Sequence, residues 1–164
     1  MARRPKARLP PRWFVVLARH AHRRLAQKSA GRRGLWRPKP NCWGALRLTT
    51  TGRRTGQQRQ VLIGDVEDGA DLVTMAMNGW GAADPAWWLN LQAHPEATAQ
   101  TKDGLRRVHA RPAAGAERDR LWSRWSEVDK DLDAYAAHRP TQTAVVVLGP
   151  LEVGPPATEP GGGL

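Results

Sequence analysis

Apolar residues near the start of the chain recur three or four apart. Trp13, Phe14, Leu17, Ala21 and Leu25 fall on one stripe, with Arg19, His22, Arg23 and Lys28 mostly off it. That spacing predicts a basic amphipathic helix over residues 12–28. Such a helix either packs on the domain or lies on an anionic membrane surface. After a loop, the pattern shortens to strands. Residues 45–51 and 59–67 read as two strands around a turn, and 72–77 as a third after "EDGAD". Asp84 with Pro85 predicts the cap and first turn of a helix over "AWWLNLQA", which stops before Pro95. Residues 97–102 and 105–111 flank Asp103-Gly104, a hairpin signal. Helices are expected over 116–127 and 130–138, and "TAVVVLG" reads as a last, buried strand.

Short turns between consecutive strands predict a mainly antiparallel sheet. Six strands and few helices predict an α+β chain, mainly antiparallel β, with a small barrel closed by helices. There is no βαβ alternation and no G-x-G-x-x-G, which argues against a dinucleotide-binding domain. Residues 1–11 read as a basic flexible arm, 12–153 as one domain, and 154–164, rich in Pro and Gly, as a disordered tail.

Composition changes this picture in three ways. The net charge of +11 over 164 residues favours anionic partners: a membrane surface, nucleic acid or a multiply charged small molecule. The 8 tryptophans against a single Tyr and a single Phe place much apolar area in indoles, whose N–H groups need partners when buried. The lone Cys42 excludes an intramolecular disulfide and fits reducing cytoplasm, and it reads as a buried, inert thiol. The five histidines show no metal-ligand spacing, so no metal site is expected. The run "WFVVLA" is too short for a secretory or membrane-spanning segment.

The candidate chemistry lies in "TTTGRRTGQQR". Glycines let the backbone approach a ligand closely, and N–H groups exposed in a tight turn form an anion-binding concavity. Arg53, Arg54 and Arg59 add paired donors suited to phosphate or carboxylate, and Thr55 adds a hydroxyl. Taken alone, the stretch is a weak signal and reads more readily as a solvated basic hairpin than as an anion site.

Two later segments change its weight. "LTTTGRRTGQQR", "VTMAMNGW" and "DPAWWLNLQAHPEATAQ" together resemble, in order and spacing, the deazaflavin-dependent nitroreductase family, over residues 12 to 153. The resemblance implies a split β-barrel of the FMN-binding-like kind that holds coenzyme F-420, a deazaflavin with a phosphate and an anionic polyglutamate tail. It implies that Arg53, Arg54, Thr55 and Gly56 hold the phosphate and tail, with Arg59 just beyond. The strand Arg59, Gln60, Val61, Leu62, Ile63, Gly64 should run along the cofactor, and Met75, Ala76 and Met77 should meet the ring. The helix with Ala86, Trp87, Trp88, Leu89 and Asn90 should close the pocket. Trp87 is assigned to the core and Trp88 to the pocket, and Asn90, polar on an apolar helix, must find a partner.

Departures from the family fall on the substrate side. Gln58 replaces proline, Met77 a serine and Trp80 a glycine, while Asp129 and Leu132 stand where some relatives have cavity-lining tyrosines. Tyr135 matches one of those tyrosines and is the candidate catalytic residue, as proton donor or substrate contact, with helix packing as the alternative. The implied function is hydride transfer from the reduced deazaflavin to a quinone, enone or nitroaromatic acceptor, the chemistry being the cofactor's and the placement the protein's. An FMN- or haem-binding split barrel is the alternative, and a non-enzymatic basic protein for nucleic acid or membrane ranks last. A cytoplasmic protein, peripheral at the inner face of the membrane through residues 12–28 and pairing as a homodimer, completes the expectation.

Overall fold

The computed structural model describes residues 34–79 and 81–151. The expected arm, the helix over 12–28, Trp80 and the tail lie outside the described residues. Six strands appear: β1 (Gly44–Thr51), β2 (Gln58–Asp68), β3 (Asp71–Met75), β4 (Glu96–Thr101), β5 (Gly104–Pro112) and β6 (Val145–Pro150). Three helices join them: α1 (Ala86–Ala93), α2 (Gly115–Val128) and α3 (Leu132–Ala136). The strands close into a barrel in the order β1-β2-β3-β6-β5-β4, every pair antiparallel.

The apolar pattern explains the layers. Leu46 and Leu48 of β1, Leu72 of β3, Val108 and Ala110 of β5, and Val146 and Leu148 of β6 fill the barrel interior. Trp87, Trp88 and Leu91 of α1 join them, so this helix plugs one end of the barrel. The opposite face of the same strands carries Val66, Val73, Met75, Val145 and Val147, which pack against Leu121 and Trp125 of α2 and Leu132 of α3. β6 is thus covered on both sides, which is why it reads as an unbroken apolar run rather than an alternation.

Four local expectations are corrected. Asp84 does not cap α1: Pro85 is the cap, with φ −66° and ψ 144°, and no side chain bonds the helix end. The Asp84 carboxylate accepts instead from Arg139 Nη2 at 2.6 Å, a charge-assisted bond. β3 stops at Met75 because Met77 N folds back onto Met75 O at 2.8 Å. α3 spans five residues, 132–136, and is shorter than the helix expected over 130–138. Cys42 is exposed, not buried. It sits where Lys39 and Cys42 exchange backbone hydrogen bonds of 2.8 and 3.1 Å, and this tight turn faces its thiol to solvent.

Candidate functional site

The turn joining β1 and β2 is closed by its own backbone. Gly52 N donates to Gln57 O at 2.8 Å and Gly56 N to Gly52 O at 2.7 Å. Gly56 has φ +69°, the left-handed conformation that favours glycine. A buried side chain fixes the turn from below. Asn90 Oδ1 accepts from Arg53 N at 3.2 Å and from Arg53 Nη1 at 3.3 Å, and Asn90 Nδ2 donates to Thr50 Oγ1 at 3.3 Å. Thr50 Oγ1 in turn donates to Arg59 O at 3.4 Å. The polar residue on the apolar plug helix therefore has its partners, and they belong to the turn.

What the turn presents outward is cationic. Arg53, Arg54, Thr55, Gly56 and Arg59 are all exposed. The backbone N–H groups of Arg54 and Thr55 bond no described residue, so both remain available as donors. Arg37, Arg107, Arg111, Arg118, Arg120 and Arg139 each stand in an ion pair, whereas Arg53, Arg54 and Arg59 stand in none among the described residues. Arg59 Nη2 reaches only Gln57 Oε1, at 3.1 Å. The charge at this turn is thus uncompensated by protein carboxylates.

From the turn, β2 runs with one edge unpaired among the described residues. Over its length it pairs with β1, but it meets β3 only at Val66, Glu67 and Asp68. Above that point the barrel is split, and Gln58, Arg59 and Gln60 are exposed while Val61, Leu62, Ile63 and Gly64 are half-buried. Thr74 Oγ1 donates to Gly64 O at 2.7 Å where the split closes.

A cavity of about 280 Å³ opens in that split, lined by Trp43, Leu62, Ile63, Gly64, Thr74, Met75, Met77, Trp125 and Asp129. Its roof depends on Gly64, because a Cβ there would come within 3.2 Å of Trp43 Cε3 and 3.3 Å of Trp125 Cη2. Trp43 also stacks, tilted, on Trp36 at 5.2 Å, and its carbonyl accepts from Trp36 Nε1 at 2.8 Å. The indole Nε1 of Trp125 is buried and has no hydrogen-bond partner among the described residues.

Arg139, fully buried, secures the segment leaving β3. Its Nη1 donates to Ala76 O at 2.9 Å and Thr143 Oγ1 at 2.8 Å, and its Nε to Gly81 O at 3.2 Å. With the Asp84 pair, this guanidinium ties residues 76–84, which carry Met77, to the start of β6. The perturbed carboxyl lies lower in β2. Burial, then the neighbouring Glu67, pushes Asp65 up to about 7, against the lowering effect of Arg106.

The expected site residues therefore divide. The structure gathers Leu62, Ile63, Gly64, Met75 and Met77 around the cavity, and Arg53, Arg54, Thr55, Gly56 and Arg59 at the turn, with Gln60 and Val61 between. Trp87, Trp88 and Ala76 are buried in the barrel interior, so the expected pocket role of Trp88 is corrected: both indoles plug the barrel, 6.4 Å apart and edge to face. Ala86 is exposed and Leu89 half-buried on that same helix. Tyr135 is half-buried on α3 and does not line the cavity. Trp43, Thr74, Trp125 and Arg139 were not anticipated. Trp125 and Asp129 are four apart, the one sequence signal that would have placed them on a common helix face.

Comparison with known proteins agrees with this architecture. The model of the F-420H(2)-dependent quinone reductase family matches residues 17–150. A solved structure described as a domain-swapped dimer is 23% identical, with TM-score 0.61, covering 82% of this chain and 98% of its own. The F-420-H2 dependent reductase FDR-A is 25% identical, with TM-score 0.59, covering 70% of this chain and 99% of its own. The chain belongs to the F-420H(2)-dependent quinone reductase family and is a deazaflavin-dependent oxidoreductase with a split-barrel fold. The match lends FMN no support. No helix among the described residues is long and apolar enough to cross a membrane.

Proposed function

We propose that this family member holds its deazaflavin along the free edge of β2, with the ring at the cavity and the anionic tail at the 52–57 turn. The observation that carries this is continuity. Gly64 at the cavity and Arg59 at the turn are five residues apart on one strand, about 17 Å at the usual rise. Among the described residues, the edge between them has no neighbouring strand. An elongated ligand, apolar at one end and multiply anionic at the other, matches a groove whose ends have those characters.

In this reading the reduced cofactor supplies a hydride from its ring, and the chain supplies placement. Arg53, Arg54 and Arg59, with the Arg54 and Thr55 N–H groups, hold phosphate and carboxylates. Leu62, Met75 and Met77 with the indoles of Trp43 and Trp125 exclude water from the ring. The acceptor is a quinone, an enone or a nitroaromatic compound, and it takes the hydride and then a proton from Tyr135 or from solvent at the cavity mouth. Pairing of two copies, and a membrane contact through residues 12–28, belong to the same proposal.

The test is titration of the purified protein with oxidised deazaflavin, followed by cofactor fluorescence at low ionic strength. Saturable binding that weakens with salt is expected. No binding under those conditions would reject the reading.

A further inference from the structure

The cavity carries a charge that opposes the rest of the groove. Trp43, Leu62, Met75, Met77 and Trp125 line it with apolar surface, and the Thr74 hydroxyl is engaged with Gly64 O at 2.7 Å. Asp129 is the single charged side chain among the described lining residues. It follows α2 as its C-cap residue, half-buried, with its own N–H bonded to Trp125 O at 2.9 Å. Its Oδ1 accepts from Asp131 N at 3.2 Å, and among the described residues it joins no ion pair. Its second carboxylate oxygen accepts no hydrogen bond from the described residues. The groove thus runs from three unpaired guanidiniums at the turn to one unpaired carboxylate at the helix end.

We propose that Asp129 is a specificity-determining residue for the acceptor that meets the ring at this cavity, favouring acceptors that bring a cationic group or an N–H or O–H donor to the helix end and rejecting those that carry an anion. A carboxylate in a partly desolvated, apolar cavity is screened less than one at the surface, so its sign dominates locally. This runs against the chain as a whole, whose net charge of +11 favours anions at long range. The inference rests on the proposed reading that the deazaflavin ring lies at the cavity, which sets the acceptor against the ring at the cavity mouth, beside Asp129.

The test uses the cofactor-free protein and three naphthoquinones of one ring system, bearing a sulfonate, a hydroxyl or a trimethylammonium group. All proteins carry Cys42→Ser, because an exposed thiol adds to quinones. Binding is read by quenching of tryptophan fluorescence, since Trp43 and Trp125 line the cavity. Asp129→Asn keeps the Oδ1 acceptor for Asp131 N while removing the charge, and Glu127→Gln, outside the cavity, removes the same charge elsewhere. Asp129→Asn is expected to shift the ammonium-to-sulfonate affinity ratio roughly tenfold toward sulfonate, and Glu127→Gln less than about twofold. Equal shifts in the two variants, or no quenching of the Asp129-containing protein by any probe, would overturn the proposal. A parallel titration with oxidised deazaflavin separates the two claims. Failure of that protein to bind cofactor would remove the functional reading, while the charge preference would still be decided by the quinone series.

Discussion

Two apolar runs, "VVVL" in β6 and "VLI" in β2, look alike as sequence and do opposite work. In β6, Val145, Val146, Val147 and Leu148 are no more than 1% exposed, with strands on both sides and a core on each face. In β2, Val61, Leu62 and Ile63 are half-buried, with β1 on one side and, among the described residues, no strand on the other. The first run holds the barrel together. The second packs Val61 and Ile63 on the barrel core from one side only, and it is the edge to which the proposed function assigns the cofactor. What separates them is neither hydrophobicity nor strand propensity but whether a neighbouring strand completes the edge. An uncompleted edge with apolar side chains is a liability that a protein covers with a partner or a ligand.

Four measurements break or sharpen this contrast. The largest effect should come from Arg139→Ala, which leaves the Asp84 carboxylate without its cation and frees residues 76–84. About 4 kcal/mol of destabilisation is expected in denaturant unfolding, as for other buried pairs broken on one side. Next, Leu148→Ala in β6 should cost about 3 kcal/mol, while Leu62→Ala in β2 should cost about 1 kcal/mol or less and instead weaken cofactor binding. Equal destabilisation would mean that the two runs share one role.

The third measurement addresses Asp65, the residue where β2 passes from open to covered. Its carboxyl is held up near 7 against an ordinary 3.8, chiefly by burial. Between those values the folded state keeps a proton that the unfolded chain releases, so stability falls as pH rises from about 4 through 7. Asp65→Asn should remove that slope and be more stabilising, relative to the Asp65 protein, at pH 8 than at pH 4, by a few kcal/mol in paired thermal melts. A parallel pair of stability–pH curves would contradict this. The smallest effect concerns the turn. Arg53→Ala with Arg54→Ala should weaken deazaflavin binding at least tenfold, about 1.4 kcal/mol, with unchanged melting. Arg106→Ala with Arg107→Ala should change it less than about twofold, and equal losses would return the turn to an ordinary basic hairpin.

Much of the barrel was legible because its signals are local. Asp-Gly turns separated the strands, and the run before Gly149 announced a strand buried on both faces. Asn90 was legible too, since a lone amide on an apolar helix must bond something, although the pattern could not say that Arg53 and Thr50 supply the bonds. Trp88 was misplaced because α1 enters the barrel end and buries Trp87, Trp88, Asn90 and Leu91 together, leaving no exposed stripe to orient it. Cys42 was misplaced because a preference of residue type was outweighed by a tight turn. The cavity draws Trp43 from the approach to β1, Thr74 from β3 and Trp125 from α2, and no window of sequence joins segments so far apart. Arg139 gives no local sign at all, for its four acceptors lie on Ala76, Gly81, Asp84 and Thr143.

Asn90 gives the site a mechanical property. One amide belongs to the helix that stoppers the barrel, and it also pins the cationic 52–57 loop. Whatever grips that loop therefore pulls, through a single side chain, on the stopper. Ligand occupancy at the rim and tightness of the hydrophobic interior become linked quantities, so a loaded protein is also a more firmly sealed one.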